Sequence, residues 1–364
     1  MDKEEYKKYL ERYIAQRMED FRKQYDHERS WRNLQDLLRK RKRRRVALYC
    51  AVALTTVLLL VVGFGYTAKS YKPSENPVRM ASAPDISFPE NGEKRATLTL
   101  DNGEKIDLSA QSGEIRSGGQ AVADNSSDRT LVYKKAATPS AVVQYNTLSV
   151  PRGGEYQLVL SDGTKVWMNA ESTLRYPTVF AEPKREVYLN GEALFEVAKD
   201  REHPFLVRTL CQQVEVLGTR FNVSAYPGNK TYTTLVEGCV RVGTESDSVM
   251  LKPNQQAVTA AGCSKITTHN VPARLYTSWA EGNYELCNTS LADIVAQLSR
   301  WYDVEMCFRS EPLKHKRFSG VIFRHEELGF AVDVIEEVSD VRFRREGDVI
   351  YIEDGRVNRE KKDF

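Results

Sequence analysis

Three features of this 364-residue sequence predict a membrane-anchored chain with a single transmembrane helix, an all-β unit (an antiparallel sandwich or β-roll) and a small α+β split sandwich. The first is a 23-residue uncharged run, Val46–Ala68, behind seven consecutive bases. The second is the stretch 96–260, where short alternating strands are separated by turn residues. The third is the stretch 279–353, where helical periodicity returns between strands.

Val46–Ala68 at about 1.5 Å per residue covers roughly 34 Å, enough for a hydrocarbon core of ~30 Å. A buried core helix would show a polar face, and Tyr49, Cys50, Thr55 and Thr56 within this run are all tolerable in lipid. The 45 residues before it are too many for the charged start of a cleaved signal peptide. One uncleaved span is expected. Residues 1–45 hold 16 Lys/Arg against 9 Asp/Glu, and the remainder hold 37 against 41. The net charge of +3 therefore hides a polarised molecule, and the basic flank places the amino terminus in the cytoplasm. Bases that abut a span read as a stop signal at the lipid headgroups, so no direct nucleic-acid partner is expected.

Residues 1–45 form a cytoplasmic helical segment. Over 3–25, Tyr6, Tyr9, Leu10, Tyr13, Met18, Phe21 and Tyr25 recur at helical steps, and Trp31, Leu34, Leu37 and Leu38 follow on a second short helix. Two readings are open. The helices fold on each other or on the membrane surface, or their aromatic stripe docks in the groove of a cytosolic protein. Residues 69–95 carry Pro73, Pro77, Pro84 and Pro89 and suit an extended tether.

The β unit opens with Ala96–Leu108, two alternating strands around Asn102-Gly103, and the pattern returns at Tyr156–Met168 around Asp162-Gly163. Ser109–Asp128, rich in Gly, Ser and Gln, reads as a loop. Short strands then follow at Glu186–Leu189, Ala193–Val197, Phe205–Arg208, Gln213–Val216, Phe221–Ala225, Thr231–Val236 and Val240–Val242. In the C-terminal stretch, Ser290 to Asp293 has the form of a capping box. Leu291, Ile294, Val295, Leu298 and Trp301 then mark one helix face. Leu328, Ala331, Ile335 and Val338 mark a second, with strands at Tyr284–Leu286, Val304–Phe308, Arg317–Phe323, Val341–Arg344 and Val349–Ile352.

No cofactor or metal is expected. The five histidines have no ligand spacing, and G-x-S-x-G, H-E-x-x-H and the phosphate loop are missing from the sequence. Enzymatic turnover is therefore not expected. Cys211, Cys239, Cys263, Cys287 and Cys307 are odd in number and irregular in spacing, so neither a disulfide framework nor a zinc site is indicated.

The runs PRGGEYQLVLSDGTKVWMNAESTLRYP (Pro151–Pro177), LNGEALFEVAKD (Leu189–Asp200), HPFLV (His203–Val207), VLGTRFNVSAY (Val216–Tyr226) and TTLVEGCVRV (Thr233–Val242) resemble the FecR domain. Ser290–Val304 is similar to the domain that commonly follows FecR in Bacteroidetes, itself like the short signalling domain of secretins and TonB-dependent transducers. The resemblance implies a transmembrane anti-sigma factor in the inner membrane with its C-terminal domains in the periplasm. Such a protein holds an extracytoplasmic-function sigma factor and takes its signal from the signalling domain of an outer-membrane TonB-dependent transducer of iron or glycan uptake. Membrane-associated proteases then free the cytoplasmic piece, and Gly63 and Gly65 are weak helix formers near the outer end of the span.

Sigma-factor contacts would fall on Tyr6, Tyr9, Leu10, Tyr13, Trp31 and Leu34. The cytoplasmic segment is shorter than the family's usual one, which keeps open a membrane-anchored periplasmic adaptor of a transporter without sigma-factor binding; a periplasmic glycan- or siderophore-binding module is a third reading. Some members of the family cleave themselves at the Gly-Thr matching Gly218-Thr219. The competing reading makes Gly218 a bulge and Thr219 an ordinary strand residue.

Overall fold

The strand Arg185–Glu196 belongs to two sheets at once. Its first half lies between Ser172–Pro177 and Phe205–Arg208. Its second half lies between Lys165–Met168 and Arg220–Ala225. Gly191 lies where it passes from one to the other, with φ at 103°; a Cβ there would stand 2.6 Å from Ser172 Cα. The computed structural model describes residues 95–117, 120–127, 130–133, 143–180, 183–260, 262 and 265–355. The expected span at 46–68, the cytoplasmic segment and the tether up to residue 94 lie outside them. Among the described residues no helix is long and apolar enough to cross a membrane.

The first sheet runs Lys105–Asp107, Thr97–Thr99, Tyr145–Val150, Ser172–Pro177, the shared strand, Phe205–Arg208, Gln213–Val216, Val240–Gly243 and Ser248–Leu251. The second runs Glu114–Ser117, Gln120–Ser127, Thr130–Tyr133, Tyr156–Val159, Lys165–Met168, the shared strand, Arg220–Ala225, Thr231–Glu237, Gln255–Thr259 and Ile266–Asn270. Alternation fixes the register. Ile106, Leu98, Leu148, Leu174 and Leu189 stand opposite one another across the first sheet. Leu131, Leu158, Val166, Phe195, Phe221 and Leu235 do the same across the second. Both rows enter one buried core, with Phe195 and Phe221 stacked at 5.2 Å. A slip of one residue would turn a whole row outward, at about 1.5–3 kcal/mol for each large side chain.

The two similar hairpins close alike. Gly103 and Gly163 have φ of 84° and 86°, and their N–H groups donate to Leu100 O and Leu160 O, both at 2.9 Å. One hairpin sits in each sheet. Two expectations are corrected. Ser109–Asp128 is not a loop but carries an antiparallel hairpin, Glu114–Ser117 with Gln120–Ser127. Ile115 and Ala123 of this hairpin reach the core. Buried Asn125 pins it by donating to Leu108 O (3.0 Å) and Gln111 O (2.5 Å). The sandwich is also not purely antiparallel: Arg185–Glu196 and Phe205–Arg208 are parallel, as are Thr130–Tyr133 and Tyr156–Val159. The short return through residues 197–204 suffices because the shared strand ends in the second sheet and the chain only crosses back to the first.

The C-terminal residues build strand Asn283–Ser290, helix α1 (Leu291–Tyr302), strands Glu305–Phe308 and Arg317–Phe323, helix α2 (Leu328–Glu337) and strands Val341–Glu346 and Val349–Asp354. Ser290 caps α1, its hydroxyl accepting from Asp293 N at 3.2 Å. Two small sheets result, one pairing Asn283–Ser290 with Arg317–Phe323 and one centred on Val349–Asp354. The expected helix face at Val338 stops one residue early: Val338 is the C-cap of α2 and is 56% exposed. The second core, built on Leu291, Leu298 and Trp301, extends to Ala170 and Leu194 of the sandwich. The C-terminal layer thus packs on the outer face of the second sheet, the face opposite Ala193 and Phe195.

Candidate functional site

Gly218 and Thr219 lie at the entrance to strand Arg220–Ala225. Gly218 has φ of 144°, open to glycine alone, and a Cβ there would stand 2.8 Å from Lys199 Cα. The neighbouring carbonyls are held by the segment that continues the shared strand: Val197 N donates to Thr219 O at 3.0 Å and Asp200 N to Leu217 O at 2.9 Å. Thr219 is buried and its hydroxyl donates to Cys239 O at 3.1 Å. That carbonyl follows Gly238, which has φ of 97° and leaves no room for a Cβ, since Thr219 Oγ1 would be 2.8 Å away. A bulge at Arg220/Phe221 shifts the pairing here, so that Arg220 faces Glu237 and Phe221 faces Leu235.

The Gly218–Thr219 peptide borders a cavity of about 440 Å³ lined by Lys199, Arg201, Glu215, Cys239, Arg241 and Met250. The thiols of Cys211, Cys239 and Cys307 are free. Among the described residues no cluster of His, Cys, Asp and Glu could hold a metal ion. Asp162, the turn residue of the second hairpin, has a structural duty. Its carboxylate accepts from Thr164 Oγ1 at 2.7 Å and from the buried Arg185 at 2.7 Å. Arg185 in turn donates to Ala198 O and His203 O, fixing the 197–204 return beside the Gly218 backbone. On that return the Asp200 carboxyl is lowered to about 2, chiefly by its hydrogen bond from His203.

A second constellation, which sequence reasoning missed, joins the C-terminal layer to the sandwich. Glu192, on the outward side of the shared strand, is buried and accepts from Asn169 Nδ2 at 2.7 Å and from Asn222 Nδ2 at 2.9 Å. Each amide turns its oxygen to an indole. Trp301 Nε1 donates to Asn169 Oδ1 at 3.0 Å and Trp279 Nε1 to Asn222 Oδ1 at 3.2 Å. Burial raises the Glu192 carboxyl above its ordinary value, against the lowering effect of the two amides and Arg300. Around the rim, Arg152 donates to Ser299 O (2.8 Å) and Val304 O (2.9 Å) at the end of α1. Buried Arg324 donates to Gly154 O at 2.7 Å and Glu155 at 2.8 Å. Glu192 falls between the two strands expected at Glu186–Leu189 and Ala193–Val197, which the structure shows to be one, and an acidic residue in such a break reads as solvated. The expected sigma-factor contacts Tyr6, Tyr9, Leu10, Tyr13, Trp31 and Leu34 lie outside the described residues.

Comparison with known families places two models in order on the chain. The model of the FecR protein matches residues 146–241, and that of the FecR C-terminal domain matches residues 283–352. Two crystal structures of one candidate anti-sigma factor, from Parabacteroides distasonis ATCC 8503, are 30% identical in sequence to the chain. They superpose with a TM-score of 0.54, covering 57% and 58% of this chain and 98% and 99% of theirs. This chain belongs to the FecR family. No curated protein is detectably similar to it. The FecR match contains Gly218, Thr219, Asn169, Glu192 and Asn222, and the C-terminal match contains Trp301; Trp279 falls between the two.

Proposed function

We propose that this FecR-family chain is a single-pass inner-membrane anti-sigma factor. The observation that carries the reading is the ordered pair of FecR modules in a fold shared with the candidate anti-sigma factor of Parabacteroides distasonis. Residues 46–68 span the membrane, and residues 1–45 hold an extracytoplasmic-function sigma factor through Tyr6, Tyr9, Leu10, Tyr13, Trp31 and Leu34. The periplasmic residues receive the signal of an outer-membrane TonB-dependent transducer, and membrane-associated proteases release the cytoplasmic piece. Tethering raises effective concentration, so a modest helix-in-groove affinity is enough. The test is retention of the sigma factor encoded beside the gene on the tagged full-length chain. Retention is expected, with loss when Tyr9, Tyr13 and Trp31 are replaced by alanine; no retention by the unaltered chain would overturn the reading in favour of a transporter adaptor.

The same reading includes a single scission at Gly218–Thr219. Thr219 Oγ1 attacks the Gly218 carbonyl carbon, the peptide C–N bond breaks, and the hydroxyl proton ends on the freed Thr219 amine. Water then opens the ester to a Gly218 carboxylate and restores the hydroxyl. The φ of Gly218 and the buried, oriented Thr219 hydroxyl support it. A blot with tags at both termini should show two fragments. Thr219→Ala should leave only full-length chain, whereas a fragment pattern unchanged by the substitution would exclude Thr219 as nucleophile.

A further inference from the structure

We propose that Asn222, Glu192 and Trp279 are positioning residues for the Gly218–Thr219 peptide, through which the seating of the C-terminal layer sets the geometry of that bond. The relevance to scission rests on the preceding reading; the mechanical link stands on geometry alone.

Each oxygen of the Glu192 carboxyl accepts from one amide, so Glu192 dictates how both amides face. Each must present its NH₂ to the carboxylate, which leaves each Oδ1 aimed at an indole N–H. Rotating either amide would set acceptor against acceptor on one side and donor against donor on the other. The clamp is therefore complete only while both indoles are seated. Withdrawing Trp279 leaves Asn222 Oδ1 buried with its indole donor gone, and the residue is only 2% exposed.

The clamp touches the scissile region through the two strands that hold it. Asn222 is three residues beyond Thr219 on strand Arg220–Ala225. Glu192 is five residues before Val197, whose N–H donates to Thr219 O. These strands are paired with Asn222 opposite Leu194 and Arg220 opposite Glu196. A shift of either strand at the clamp is carried by this ladder to the Val197–Thr219 bond. Gly218 backs directly on the Lys199 backbone and cannot absorb it by moving toward that segment. Trp279 sits in the 3-10 turn Ser278–Glu281, immediately before strand Asn283–Ser290 opens the C-terminal layer. Gly282 N donates to its carbonyl at 3.0 Å, so displacement of the layer reaches the indole first.

The test is amide hydrogen exchange of the full-length chain, comparing the unaltered protein with Trp279→Phe, which keeps a ring and removes the N–H, and Glu192→Gln. Exchange at the Val197 and Asp200 amides should quicken about tenfold in both, the size of one lost hydrogen bond, with Leu148 and Leu174 unchanged. Phe343→Leu, which loosens the C-terminal core away from the clamp, should leave Val197 exchange as it was. An increase confined to residues 279–302, a uniform increase throughout, or an equal effect of Phe343→Leu would overturn the proposal. The fraction of two-fragment chain is read in the same samples and should change in step with Val197 exchange. If no fragments form in any sample, the scission reading falls and the exchange data alone decide the mechanical link.

Discussion

Trp301→Ala should detach the C-terminal layer from the sandwich. The ring is fully buried, meets Tyr284 edge-on at 5.8 Å, lies under the Arg324 guanidinium at 5.1 Å and donates to Asn169. Truncating a buried tryptophan costs about 3–5 kcal/mol, a large part of the stability of any domain. Here the loss falls on a layer whose core is completed by Ala170 and Leu194 of the neighbouring sheet. Urea unfolding followed by tryptophan fluorescence should split into two transitions, the earlier one belonging to residues after Trp279. Trp301→Phe should fall between the two, because it keeps most of the apolar contact and loses the N–H. A single transition at an unchanged midpoint would show that the ring is not what seats the layer.

Gly191→Val should prevent the sandwich from closing. The substitution strikes the Ser172 backbone, and Ser172 cannot retreat: its hydroxyl accepts from Glu192 N at 2.8 Å and it is paired with Val150. The milder Gly191→Ala adds a φ penalty of about 1–3 kcal/mol to overpacking of about 1–3 kcal/mol. Gly163→Ala is the matched comparison. Its φ of 86° is equally closed to side chains, but nothing lies within 4 Å of its Cβ position, so only the backbone penalty applies. The expected order of urea midpoints is unaltered, then Gly163→Ala, then Gly191→Ala, with Gly191→Val recovered mainly as insoluble protein. Equal midpoints for the two alanine variants would mean that the shared strand bends elsewhere.

What the sequence made legible is what short-range chemistry decides. Asn102-Gly103 and Asp162-Gly163 announce their hairpins because both turns need a residue at positive φ. Ser290 and Asp293 mark the start of α1 for an equally local reason. Asn190-Gly191 carries the same kind of signal and misleads, since a glycine inside a strand at a change of sheet looks like one between two strands. The hairpin Glu114–Ser117 with Gln120–Ser127 was hidden because its pairing is fixed from a distance, by Asn125 reaching Leu108 and Gln111. The joint was hidden for the same reason: Trp301 and Asn169 are separated by 132 positions in the chain. Gly218 and Thr219 were visible only through the family resemblance, and the carbonyl of Cys239 that receives the hydroxyl was not.

Arg152 bears on the order in which the molecule is made. A helix ends with carbonyls that its own backbone cannot satisfy. At the end of α1, Ser299 O accepts from the backbone of Asp303 and Val304, whereas Arg300 O is served by Gly153 N at 2.7 Å and the Arg152 guanidinium, some 150 positions earlier, donates to both Ser299 O and Val304 O. As the ribosome delivers the chain from its amino end, this donor set is in place before α1 is synthesised. The last part of the protein thus condenses on a finished template, and a sandwich that has not closed leaves the end of α1 without the donors of Arg152 and Gly153.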